Sequence, residues 1–278
     1  MTVAEVHPYG LDDPSKPAPT HPVVARMYDW YLGGTHSYAI DRKAAEDVQQ
    51  AIPDIKPLVV ENRAFLRRAV RWLAKNGVTQ FIDIGSGLPT AGNTHETVLK
   101  TEKSARVLYV DIEQTVVTEG REFIRKTGWE KQVGMLRASA LEPEAIFNDP
   151  ETCRVIDFSK PVAIMMIALI HFFEPEQYVA VLDFWKGNLV KGSAFVMTHA
   201  TSDGRDPEGL AKAREIYNKT PTPVIFRPKG EIEPIMDGFQ LVEPGLVRPP
   251  VWKMEEMDEN EEEPPKTLMW YVAVGKLV

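Results

Sequence analysis

From residue 78 onward, short apolar runs alternate with longer stretches in which apolar positions recur every three or four residues. The runs at 79–84, 106–110, 133–138, 162–167 and 194–197 predict strands, and 94–103, 115–126 and 176–189 predict helices between them. Strands that are apolar along nearly their whole length, alternating with helices, belong to a parallel sheet covered on both faces. Upstream, the period is helical. Residues 23–32 predict a helix, with Pro22 at its start and Gly33-Gly34 as a stop. Asp41 is the expected cap of a second helix ending before Pro53. Pro57 opens a longer third, with Leu58, Phe65, Leu66, Ala69, Val70 and Leu73 at helical spacing and Gly77 at its end. Downstream, Asp206-Pro207 starts a helix through Tyr217, Pro228 starts another that stops near Gly238, and 239–242 and 268–274 predict two late strands. The polar, Pro-rich residues 1–20 predict a flexible arm. The expected division is an arm and N-terminal helical cap at 1–77 and an α/β domain at 78–278.

Composition narrows the function. A chain of 278 residues with 44% hydrophobic and 26% charged residues is neither disordered, collagen-like nor a coiled coil. Its 32 basic and 40 acidic residues leave a charge of −8, which opposes approach to a polyphosphate, so no nucleic-acid partner is expected. Cys153 is the only cysteine, which excludes an intramolecular disulfide and a cysteine-ligated metal or cluster. Asp83, Asp111 and Asp157 do not form a ligand-like group, so no metal site is expected. The longest apolar run, 162–170, is too short to span a bilayer, and residues 1–20 lack the apolar stretch of a signal peptide. The expectation is a cytoplasmic protein with no membrane partner. The seven acids between 255 and 263 are expected to form a solvated loop.

The chemistry concentrates where the first strand ends, in Asp83-Ile84-Gly85-Ser86-Gly87-Leu88. Glycines after a first parallel strand let backbone approach a nucleotide closely. A dinucleotide fingerprint would need a third glycine where Thr90 stands, so a pyrophosphate clamp is disfavoured. The next helix is instead expected to start at Asn93, with Glu96 as its capping-box partner. Asp83 suits the cationic end of a ligand. Asp111, at the end of the second strand, is placed to accept both hydroxyl hydrogens of a ribose, or simply to cap the strand end. Ile112 beside it would lie against an adenine.

Asp-Ile-Gly-Ser-Gly at 83–87, followed one βα unit later by Tyr-Val-Asp at 109–111, resembles the class I S-adenosylmethionine-dependent methyltransferases. The likeness is closer to a bacterial subfamily of S-adenosyl methyltransferases formerly catalogued as a domain of unknown function. It extends over most of the chain, through Ala25–Gly34, Asp41-Arg42, Glu61–Leu66, Asp83–Thr90, Asn93–Glu96, Pro161–Ala163, Ala168–Phe172, Thr198-His199 and Leu241–Gly245. The resemblance implies a Rossmann-like α/β fold with a seven-stranded, mostly parallel sheet in the order 3-2-1-4-5-7-6, its last two strands an antiparallel pair. It implies S-adenosyl-L-methionine as cofactor, held by Asp83, Gly85, Ser86, Gly87, Asn93, Asp111, Ile112, Ser139, Ala140 and Ala168. Arg63 is expected either to meet the cofactor carboxylate or to form a helix-surface salt bridge. Arg26, Tyr28, Tyr31 and Tyr38 are expected to line a lid and acceptor pocket, with Tyr28 and Tyr31 equally suited to docking their helix on the sheet. Two stretches depart from the subfamily. Ala138-Ser139-Ala140-Leu141 stands where Ala-Asp-x-Arg is usual, and Thr35-His36-Ser37-Tyr38 where Lys-Asp-Asn-Phe is usual.

Methyl transfer from a sulfonium is an in-line displacement that needs alignment and exclusion of water, and a base only when the acceptor arrives protonated. His171 and His199, expected just beyond the fourth and fifth strands, are the candidate bases, each also suited to being a satisfied core histidine. His95 is expected to be a first-turn helix residue. The expected function is methyl transfer to oxygen or nitrogen of a small-molecule acceptor. The alternatives are a non-catalytic cofactor-binding sensor and, less well supported, a nicotinamide-dependent oxidoreductase. The Asn/Asp-Pro-Pro-aromatic motif of DNA amino methyltransferases is absent, since Arg248-Pro249-Pro250-Val251 lacks it.

Overall fold

A computed structural model describes residues 11–12, 19–88, 93–257 and 269–278. Most of the expected arm, Pro89 and Thr90, Leu268 and the acidic run from 258 onward lie outside the described residues. Seven strands form one sheet in the order β3-β2-β1-β4-β5-β7-β6. They are β1 (Gln80–Ile84), β2 (Arg106–Asp111), β3 (Val133–Arg137), β4 (Ala163–Met166), β5 (Ala194–Ala200), β6 (Gln240–Leu241) and β7 (Trp270–Lys276). Pairing is parallel from β3 to β5, and β7 runs antiparallel to both β5 and β6. This is the Rossmann-like order that the resemblance implies.

The central strands are buried along their length because successive side chains feed opposite cores. Phe81, Val107, Tyr109, Met165 and Val196 face a core shared with α1 (Val24–Tyr31), α2 (Ala39–Ala51), α3 (Ile55–Lys75), α4 (Thr94–Thr101), α5 (Gln114–Thr127) and α9 (Pro207–Tyr217). Ile82, Ile84, Leu108, Val110 and Ile164 face the other, with α6 (Pro143–Asn148), α7 (Pro150–Val155), α8 (Pro175–Asn188) and α10 (Lys229–Ile232). The core of the three N-terminal helices is therefore continuous with one face of the sheet.

Several local expectations change. Asp41 caps α2 from the N3 position of a capping box, with Tyr38 as the N-cap residue. It is the third residue of that helix, and its carboxylate accepts from the backbone N–H of Tyr38 and Val23 and from Arg26 Nε at 2.9, 2.8 and 2.6 Å, which ties α1 to α2. The six-residue helices α6 and α7, each opened by a proline, carry too few turns to show a period in sequence. The helix expected from Pro228 is one α-turn followed by a 3-10 turn at Glu233–Met236, because Pro234 cannot donate to a continuing ladder. β5 runs to Ala200 rather than to 197, which takes His199 inside the sheet.

Candidate active site

The C-terminal ends of the parallel strands meet on one edge, and the winding direction reverses between β1 and β4. That reversal leaves a crevice above the strand tips. A cavity of about 530 Å3 opens there, floored by the turns after β1, β2 and β4 and walled on the far side by α1 and by residues 221–225.

The floor is shaped by the glycine turn. Gly85 and Gly87 sit at φ +69° and +68°, where a side chain is strained. A Cβ on Gly85 would lie 2.7 Å from Leu169 Cδ1, so the turn needs glycine to pack against the segment after β4. A Cβ on Gly87 would meet no protein atom within 4 Å, which leaves bare backbone facing open space. Asp111 joins this turn to the next. Its Oδ2 accepts from Gly87 N–H at 2.9 Å and its Oδ1 from Glu113 N–H at 3.0 Å. Asp111 is 7% exposed, and burial raises its pKa against those two bonds. Asp83, 3% exposed, accepts from Thr94 Oγ1 at 2.7 Å. Burial pushes its carboxyl up to about 6, opposed by the Thr94 hydroxyl and by the charge of Arg63.

The cavity gathers Asp83, Gly85, Ser86, Gly87 and Asp111 from the first two strand tips. Ile112, Ser139, Ala140, Ala168 and Arg63 also line it. Ser139 Oγ accepts from Leu141 N–H at 3.2 Å. Ala168 is held at φ +53° by donating its N–H to Thr198 Oγ1 at 2.7 Å. Arg63 is buried in α3, not on a helix surface, and its guanidinium stands 5.8 Å from the Tyr28 ring centre. The Tyr28 ring lines the cavity, while its hydroxyl turns away, accepting from Asn62 Nδ2 at 3.0 Å and donating to Val59 O at 3.4 Å.

Other expected site residues lie elsewhere. Asn93 precedes α4 with its N–H on Glu96 Oε2 at 2.8 Å, the expected capping partner. It borders a small recess behind the glycine turn, as does His95, a buried first-turn residue whose Nδ1 lies 2.7 Å from Tyr109 Oη. Arg26 is committed to Asp41, with Tyr38 stacked beneath its guanidinium at 5.1 Å, so both face α2 and not the cavity. Tyr31 donates to Ala45 O at 3.3 Å and docks α1 on α2.

The two candidate bases are also displaced. His199 Nδ1 donates to Ala200 O at 2.7 Å, which leaves Nε2 to accept from Arg227 Nη1 at 3.0 Å. Burial holds its pKa near 3, so it is neutral and fully engaged. His171 packs against Phe172, His199 and Trp270 and borders a narrow apolar crevice beneath α1. Burial, then the neighbouring His199 and Arg227, depress its pKa well below the usual histidine value, which makes it a weak proton acceptor. Neither lines the large cavity.

Sequence reasoning missed Asp29, Leu32 and the 221–225 wall. Asp29 had a signal, an acid among the apolar positions of α1. The wall is a Pro-Thr-Pro loop with no period to detect. Among the described residues no group of histidine, cysteine, aspartate and glutamate could hold a metal, and no helix is long and apolar enough to cross a membrane.

Comparison with known proteins gives the family of the chain. The S-adenosyl methyltransferase family is matched over residues 14–277. A provisionally assigned methyltransferase of Thermobifida fusca YX is 35% identical at a TM-score of 0.83, covering 92% of this chain and 95% of its own. A DUF574 family protein of Streptomyces avermitilis MA-4680 is 30% identical at 0.82, covering 92% and 97%. A Burkholderia thailandensis 1,6-didemethyltoxoflavin-N1-methyltransferase, bound to that substrate and S-adenosylhomocysteine, covers 94% of this chain and 93% of its own. It is 13% identical at a TM-score of 0.50 and shares the fold. No curated protein matches. The matched span and the two similar structures make the chain a member of the S-adenosyl methyltransferase family, an S-adenosylmethionine-dependent methyltransferase of class I fold.

Proposed function

We propose that the enzyme methylates oxygen or nitrogen of a small-molecule acceptor inside the cavity above β1, β2 and β4. The observation that carries this is the continuity of that cavity, from the bare backbone of Gly87 to the apolar wall of Tyr28, Leu32, Pro221 and Pro223. Its volume of about 530 Å3 suits small molecules and not a folded partner. The residues fit the cofactor. Asp111 keeps lone pairs that would accept from a ribose diol, Asp83 would pair with the ammonium of the methionine tail, and Gly87 would admit the tail without a side chain in its way. Arg63 would hold the carboxylate, and Ile112, Ser139, Ala140 and Leu141 would hold the adenine. When bound, the sulfonium supplies the electrophilic methyl group. The chain supplies position: α1 and the 221–225 wall keep water from the acceptor and fix its approach.

The test is calorimetric titration with S-adenosylhomocysteine, followed by transfer of labelled methyl to fractionated small metabolites, protein and nucleic acid. Saturable binding and label in small molecules are expected. Label confined to macromolecules would overturn the acceptor class.

Asp83 predicts a pH dependence. Its ionised form is the one that pairs with an ammonium, and its pKa in the unliganded protein is about 6. Affinity for S-adenosylhomocysteine should be flat above pH 7 and fall toward tenfold per unit below pH 6. The same raised pKa favours the folded state only while the carboxyl is protonated, fully so below the ordinary 3.8 and no longer once pH rises through 6. Asp83→Asn should therefore melt higher than the wild type at pH 8, by roughly 2 kcal/mol of stability, while binding the cofactor more weakly and without the acid limb. Thermal melts and calorimetry across pH 5–8 measure both.

A further inference from the structure

The cavity carries one carboxylate that cofactor binding does not use. Asp29, near the C-terminal end of α1, lines the wall opposite the strand tips and is 1% exposed. Its Oδ2 accepts from His36 N–H at 2.9 Å, and its Oδ1 is buried without a hydrogen-bond partner. A buried carboxylate oxygen left unpaired costs free energy that a bound donor would recover. A Cβ on Gly34 would lie 2.1 Å from Asp29 Oδ1, so the Gly33-Gly34 turn is packed directly against it.

The charge around it is mainly negative. Among the described ionisable residues lining the cavity, Asp29, Asp83, Asp111, Glu113 and Glu174 are acids, and Arg63 is the base. The surrounding wall of Tyr28, Leu32, Phe172, Pro221 and Pro223 is apolar and offers no counter-charge. An apolar cavity with surplus negative potential recruits cations with an apolar body and disfavours anionic ligands.

We infer that the acceptor is an amine on an apolar body, bound through its ammonium to the Asp29 carboxylate. This rests on the small-molecule methyltransferase reading above. Three ionisable groups face Asp29 from the elements around it: His36 from the loop after α1, Arg63 from α3 and, through His36, Glu119 from α5. Burial raises the Asp29 pKa, and the His36 N–H and the charges of His36 and Arg63 only partly offset it. An ammonium partner replaces lost hydration and favours the ionised form.

The arrangement also answers a chemical need. An ammonium has no lone pair and must lose a proton before nitrogen can attack. The N–H bond breaks, its electron pair stays on nitrogen, and the proton passes to the Asp29 carboxylate. Burial favours that neutral pair over two separated charges. His36 leads onward to solvent: its side chain is 44% exposed, with Nδ1 3.8 Å from Asp29 Oδ2 and Nε2 3.4 Å from Glu119 Oε2. The nitrogen pair then forms the bond to the methyl carbon as the carbon–sulfur pair stays on sulfur.

The test uses benzylamine and benzyl alcohol, which share an apolar body and differ in charge, titrated calorimetrically into protein saturated with S-adenosylhomocysteine at pH 7.5. Saturation keeps Asp83 and Asp111 occupied, so the probe reports on the far wall. The unaltered protein should bind the amine at least tenfold more tightly than the alcohol. Asp29→Asn, which preserves the acceptor for His36 N–H, should abolish that preference, keep S-adenosylhomocysteine affinity within threefold and leave the alcohol unaffected. Equal affinity for amine and alcohol in the unaltered protein overturns the inference without any variant. A preference that survives in Asp29→Asn overturns it too. Loss of S-adenosylhomocysteine binding by the unaltered protein would instead refute the cofactor placement on which it rests.

Discussion

Replacing Asp111 with alanine should lower affinity for S-adenosylhomocysteine a hundredfold or more. Two charge-assisted hydrogen bonds from a ribose diol are each worth about 1.5–3 kcal/mol in a desolvated setting, and Asp111 is 7% exposed. The carboxylate also holds the floor together, accepting from Gly87 N–H and Glu113 N–H. Its loss frees the glycine turn and the start of α5 together, so the remaining contacts lose their alignment. Asp111→Asn separates the two effects. An amide oxygen can keep one of the backbone bonds but lacks the charge and the full acceptor capacity, so a loss of about tenfold is expected. Isothermal calorimetry measures both, with melting curves to show that each variant is folded. An alanine variant within threefold of the wild type would mean that the second strand tip does not grip the ribose.

How much of this was legible beforehand follows from where burial leaves a periodic trace. The β1–β5 strands were visible because each is apolar on both faces, and the family and cofactor because Asp83–Gly87 and Tyr109–Asp111 stand one βα unit apart. The sheet order came through resemblance alone, since no local pattern says that β7 inserts between β5 and β6. The short α6 and α7 were invisible for want of turns. One candidate base was displaced by a boundary: three more residues of β5 carry His199 into the sheet, where Arg227 and Ala200 O consume both nitrogens. Arg26 looked like a lid residue because it sits on α1, but helical phase turns it toward Asp41. Asp29, three residues later on the same helix, is turned to the cavity instead.

Arg68→Ala should be the most destabilising single change in α3, at about 3–5 kcal/mol, or roughly 6–15 °C in melting temperature. Arg68 is fully buried and satisfies three acceptors: Glu61 Oε1 at 2.8 Å, Pro249 O at 2.8 Å and Trp252 O at 3.0 Å. Alanine leaves a cavity, takes a buried charge-assisted bond from the Glu61 carboxylate and strips two buried carbonyls of their donor in one step. Arg68→Met combined with Glu61→Gln removes the buried ion pair from both sides and refills the volume, so it should recover part of the loss. Recovery stays incomplete because the carbonyls of Pro249 and Trp252 lose their donor. The consequence reaches the active site through α3, since Arg68 fastens to the 249–252 segment the same helix that carries Arg63 into the cavity. A folded Arg68→Ala protein at low temperature should therefore bind S-adenosylhomocysteine nearly normally, yet lose that binding cooperatively on warming. Weak binding at all temperatures, with stability intact, would instead place the 249–252 anchor among the determinants of Arg63 geometry rather than of the fold.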